Sequence, residues 1–166
     1  MRILIHYSGK LRTPFDLPAL IAEVSDLCQS LDWKYDYIAP QPGTPLEGLA
    51  IHLEKCDPVW FTFLPDGSLF HPLLYQCIKG VEKTEHFETG QAWIGIPTYH
   101  AGADDHMQLI KLLRYLSNKY FERFELNDDS KFWETNNEKL CREKFAKMES
   151  ADSDKRLAKR KFRKKF

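Results

Sequence analysis

Two histidines and two aspartates, His100, Asp104, Asp105 and His106, fall within seven residues of one another. Imidazole and carboxylate are the ligand types that hold zinc and similar divalent ions, and an ion held that way can activate water for hydrolysis. These four residues are therefore a candidate metal set, with His86 or Glu88 from the preceding segment as a further ligand or base. The alternative function they imply is a metal-dependent hydrolase. A plainer use competes with it. Asp104 or Asp105 stands where a helix begins, and a carboxylate there caps free amide groups and faces the positive end of the helix dipole. No H-E-x-x-H or comparable spacing accompanies the loop, so capping is the reading preferred.

The second concentration of chemistry is cationic. Lys155, Arg156, Lys159, Arg160, Lys161, Arg163, Lys164 and Lys165 place eight positive charges in the last twelve residues, with no acid among them. A net charge of zero for the whole chain thus hides an acidic body and a basic end. Such a segment suits an acidic protein partner or the phosphates of nucleic acid. Its bland counterpart is a solvated, mobile terminus that visits the acidic body.

Other routes to chemistry fail on inspection. His6-Tyr-Ser-Gly-Lys10 follows a strand as a phosphate loop does, but the first glycine of that pattern is missing and Leu11 stands where its Ser or Thr belongs. There is no G-x-S-x-G nucleophile elbow. Cys56 has Lys55 beside it to lower its pKa, but Asp57 opposes that. His6 and His52 lie within expected strands and are read as partly buried imidazoles.

The elements that must position these residues follow from periodicity. Arg2 to Ser8 and Trp33 to Ile38 read as strands. Between them, Asp16 to Leu31 carries apolar residues at helical spacing, with Asp16 as N-cap and Phe15 placed to staple back. A Pro-rich loop from Ala39 to Gly48 leads into three apolar runs, Leu49 to Leu53, Val59 to Leu64 and Leu69 to Tyr75, which read as a meander with the second run inside the sheet. Asp66-Gly67 is the turn signal. Further strands are expected near Glu85 to Glu88, at Ala92 to Ile96 and at Phe124 to Leu126, with a helix from Asp104 to Phe121. Thr135 and Glu138 match a capping box for a helix through about Met148, and Ser150 to Asp154 is expected to end it.

The fold expected is α+β: a mixed, largely antiparallel sheet of about five to seven strands with two main helices on it, a C-terminal helix and a basic tail. A ferredoxin-like plan is one arrangement that suits the opening strand, helix, strand and hairpin. Residues 1–149 are expected to form a single globular domain, and 150–166 a flexible tail. No apolar run approaches the length of a membrane span, and four cysteines without a C-x-x-C pair point to free thiols. No membrane association and a cytoplasmic location are expected. The leading function expected is a small intracellular binding protein, its basic end engaging an acidic partner or nucleic acid.

Overall fold

The computed structural model describes residues 2–78 and 92–163, and it is α+β. β1 (Leu4–Leu11) buries Ile5, Tyr7 and Leu11 on one face and leaves His6 and Lys10 half-exposed on the other, the two-residue period of a strand with one wet face. It is the middle of an antiparallel sheet ordered β5-β1-β6, flanked by β5 (Ile94–Pro97) and β6 (Phe121–Asp128). A second antiparallel sheet has the order β2-β3-β4, from β2 (Lys34–Ile38), β3 (Glu47–His52) and β4 (Val59–Phe63).

Two sheets replace the single mixed sheet expected, because both edges of β1 are taken by distant segments. Its even-numbered residues bond towards β6, where the Leu4 carbonyl accepts from Asp129 N–H. Its odd-numbered residues bond the other way. The Ile3 carbonyl takes Thr98 N–H, the Gly9 carbonyl takes Leu69 N–H, and Leu11 N–H reaches the Gly67 carbonyl. A ferredoxin-like plan would instead return the chain beside β1 soon after its first helix. The segment from Ser68 to Phe70 also bonds to β4, through Leu64 N–H to Ser68 O at 2.8 Å and Phe70 N–H to Thr62 O at 3.0 Å, so it links the two sheets. The Asp66-Gly67 turn forms as its sequence requires, with Gly67 at φ 90° and Asp66 Oδ1 accepting from Ser68 N–H.

The third apolar run is mostly not a strand. After one bridge between Phe63 and Leu69 the chain turns into α2 (Pro72–Ile78), and β3, not β4, is central in its sheet. His71 accounts for the start of α2, its Nδ1 accepting from Leu73 N–H at 3.0 Å.

The inner faces of both sheets share one apolar core with α1 (Leu17–Ser30) and α3 (Ala103–Tyr120). Tyr7 crosses between the sheets, its buried hydroxyl donating to the Trp60 carbonyl at 2.5 Å, and burial pushes the phenol pKa up so that it stays a donor. At the rim, Glu23 of α1 accepts from the Tyr115 and Tyr120 hydroxyls and from Lys119 Nζ at 2.9 Å, all on α3. These bonds, that of Tyr115 first, hold its carboxyl at about 2. The folded pKa lies below the unfolded one, so this contribution is present above about pH 4.5 and is lost as pH falls through about 2. Glu23→Gln is expected to lower stability by about 1 kcal/mol at pH 7 and by less at pH 3, read from urea unfolding.

The helix ends differ from their expected caps. Phe15 is 89% exposed and staples nothing, while Thr13 Oγ1 accepts from Phe15 N–H in a short 3-10 turn ahead of α1. α3 starts at Gly102, whose φ of 89° sets the turn, and Asp104 and Asp105 are first-turn acids, not caps. After α4 (Phe132–Thr135), Asn137 caps α5 (Glu138–Arg163) by accepting from Leu140 N–H at 3.1 Å, so Thr135 and Glu138 form no capping box. α5 runs straight through Ser150 to Asp154. Two helix-compatible features accompany this: Ser150 Oγ bonds back to the Ala146 carbonyl, and Asp152 precedes Arg156 by four residues.

Among the described residues no helix is long and apolar enough to cross a membrane. The strand expected near Glu85 to Glu88 lies outside the described residues.

Candidate functional site

The four described residues of the histidine and aspartate loop point apart. His100 lies in the 3-10 turn Tyr99–Ala101, exposed, on a hollow of about 270 Å³ shared with Glu149, Asp152 and Arg156 of α5. Asp104 is 81% exposed and ion-paired with Arg142 of α5 at 2.6 Å. Asp105 accepts from the Trp33 indole N–H at 3.4 Å. His106 turns inward and is fully buried. One turn of helix spreads consecutive side chains by about 100° each, which is why adjacency in sequence does not bring these groups together. Among the described residues no three His, Cys, Asp or Glu are grouped so as to hold a metal ion, and His86 and Glu88 lie outside them.

His106 is instead the hub of a buried polar node. Its Nδ1 is 2.7 Å from Thr98 Oγ1, and its Nε2 is 2.9 Å from Ser130 Oγ and 3.2 Å from Asp128 Oδ1. Asp128 ends β6, and its carboxylate also accepts from Ser130 N–H at 2.8 Å, the Ser130 hydroxyl at 2.9 Å and Trp133 N–H at 3.0 Å. All four residues are at most 1% exposed. Burial alone would raise the Asp128 carboxyl, but the hydrogen bond and charge of His106, with Ser130 and Trp133 N–H, outweigh it and hold the group at about 2.

A count of protons shows what this node can do. The ionised carboxylate only accepts, so Ser130 spends its single proton on Asp128 Oδ2. Ser130 Oγ is then an acceptor, and His106 Nε2 must carry a proton to meet it and Asp128. A histidine that donates to a serine cannot take that serine's proton, so the Ser, His and Asp here do not form a nucleophilic triad. The node ties the end of β5, α3, β6 and the start of α4 together. Sequence reading missed Asp128 and Ser130, although the Asp-x-Ser spacing at a strand end is the signature of a side chain bonding its own backbone two residues on.

The remaining nucleophile and histidine candidates are also placed. Cys56 is half-buried with its Sγ 3.4 Å from the Pro97 carbonyl, and burial pushes its thiol up, away from a reactive thiolate. His52 pairs with Asp36 at 2.7 Å beside a cleft of about 550 Å³ lined by Trp33, Lys34, Glu54 and Asp105.

What stands out from the body is the end of α5. Cys141 and Phe145 bury its first half against the core, and from Ser153 to Arg163 every residue is exposed. At about 100° per residue, Lys155, Arg156, Lys159, Arg160 and Arg163 lie within one arc of about 140°. Lys161, Leu157 and Phe162 lie off that arc. Lys164 and Lys165 are outside the described residues. Compared with protein-family models, curated proteins and solved structures, the chain matches none. Through Arg163 the basic end is helical, because the helix begun at Glu138 is carried past its acidic stretch. Cations four residues apart on a helix recur every ~6 Å along its axis, so the row meets a polyanion with several charges at once.

Proposed function

We propose that this chain is a small intracellular binding protein whose exposed α5 arm engages the phosphate backbone of nucleic acid. The observation that carries this reading is the cationic stripe of Lys155, Arg156, Lys159, Arg160 and Arg163 along the exposed end of α5. A stripe holding only cations suits a partner that presents negative charge at regular intervals, and affinity then comes from counterion release and not from base identity. The acidic body, facing the same polyanion, favours contact through the arm alone.

The test compares the full chain with one ending at Asp154 by fluorescence anisotropy on labelled duplex DNA and RNA. The full chain is expected to bind at low salt and the shortened one to lose nearly all affinity. Equal affinities would remove the arm from the account. Capture on poly-glutamate with no affinity for either nucleic acid would assign the stripe to an acidic protein partner instead.

A further inference from the structure

The cations of the α5 stripe are of two kinds, and the helix sorts them. At about 100° per residue, Arg156, Arg160 and Arg163 fall within an arc of about 60°, and Lys155 and Lys159 lie side by side along one edge of it. For charge alone this order would be immaterial. The guanidinium, however, is a planar fork whose parallel N–H donors match two acceptors at once, whereas the ammonium is a point charge that any phosphate satisfies.

The arginine row also has the spacing of a reader. Its members stand four and then three residues apart, which spreads them over about 10 Å of helix axis. Side chains so spaced on a helix in the major groove reach successive base pairs. From Ser153 to Arg163 every residue is exposed, and the arginines border a hollow of about 580 Å³ with Lys159, Ala158 and Phe162. A helix with its side chains is about 10–12 Å across, and the major groove of B-form DNA is about 12 Å wide, so this end of α5 fits it. The deep, narrow major groove of A-form RNA does not admit it. In the B-form groove only guanine presents two acceptors, O6 and N7, side by side to one guanidinium. Adenine sets an amine beside its N7, cytosine offers an amine, and no carboxylate stands in the row to accept from either.

We infer that Arg156, Arg160 and Arg163 read guanines on successive base pairs of B-form DNA through the major groove, with Lys155 and Lys159 on phosphates along the groove wall. The inference rests on the nucleic-acid reading of α5 and deepens it: duplex DNA is the partner, and a run of guanines is the preferred site. On a duplex without guanine the whole stripe meets phosphates, and binding continues at the affinity of charge alone.

The experiment measures anisotropy of labelled duplexes of equal length: DNA with a central run of guanines on one strand, the same DNA with 7-deazaguanine in the run, DNA of A·T pairs only, and duplex RNA carrying the guanine run. The full chain is expected to favour the guanine run over A·T pairs about tenfold or more. The deaza base puts C–H where the N7 acceptor stood, so it should remove most of that preference, and this readout needs no variant to fold. The chain carrying Arg156→Lys, Arg160→Lys and Arg163→Lys together keeps every charge and loses every fork. It is expected to bind all three DNA duplexes alike, at about the affinity of the unsubstituted chain for A·T pairs. Equal binding of the three DNA duplexes by the unsubstituted chain, or a preference untouched by the deaza base, would overturn the inference and leave the stripe's charge reading standing. Duplex RNA bound as tightly as the guanine-run DNA would do the same. Absence of binding to every duplex would overturn both.

Discussion

Asp128→Ala is expected to destabilise the protein by about 3–5 kcal/mol, because it removes the acceptor of a buried node and leaves its donors unpaired. Ser130 N–H, the Ser130 hydroxyl, Trp133 N–H and His106 Nε2 all address this one carboxylate, within 2.8 to 3.2 Å. In a chain of this size the loss corresponds to a fall in Tm of roughly 6–20 °C. Asp104→Ala is the control. Its ion pair with Arg142 is as short, at 2.6 Å, but Asp104 is 81% exposed, and such pairs contribute under about 1 kcal/mol. Equal losses at the two positions in urea unfolding would refute the reading of the node as a structural hub.

The same node makes a pH prediction whose sign is fixed. The Asp128 carboxyl lies at about 2 when folded against 3.8 for the free group. Its contribution, on the order of 2 kcal/mol, is therefore fully present above about pH 4 and is lost as pH falls through about 2. The gap between the unsubstituted chain and Asp128→Ala should accordingly narrow between pH 5 and pH 2.5.

The second large effect is on binding. If the five cations of the α5 stripe each displace a counterion from duplex DNA, log K should fall against log salt with a slope of about −4.5, or roughly 500-fold between 50 and 200 mM. Replacing Arg156, Lys159 and Arg163 with alanine leaves two of them, for a slope of about −1.8 and a roughly tenfold loss over the same range. These side chains are exposed and make no part of the core, so in urea the variant should unfold within about 0.5 kcal/mol of the parent. A slope unchanged by the triple replacement would show that the arm does not touch phosphates.

Periodicity made both main helices legible. The apolar residues of α1 and α3 repeat at helical spacing, and that repeat became the buried face of each. β6 was read as a fragment because its register shift opposite Lys10 and Leu11 breaks the two-residue alternation: Phe121, Phe124 and Leu126 do not sit at even spacing, although all face inward. The length of α5 was missed for a different reason. Ser and Asp favour helix ends when considered alone, but here Ser150 Oγ bonds back to the Ala146 carbonyl and Asp152 stands four residues before Arg156, both inside the helix.

Local sequence, then, determined where the apolar faces lie, the Asp66-Gly67 turn and the cationic end of the chain, since each depends on neighbours within a few residues. Tertiary structure alone decided which strands share a sheet and that His106 faces Asp128 while Asp104 faces Arg142. The physical reason is common to both. Each depends on contacts between residues distant in sequence, and a side chain's type does not disclose what stands opposite it.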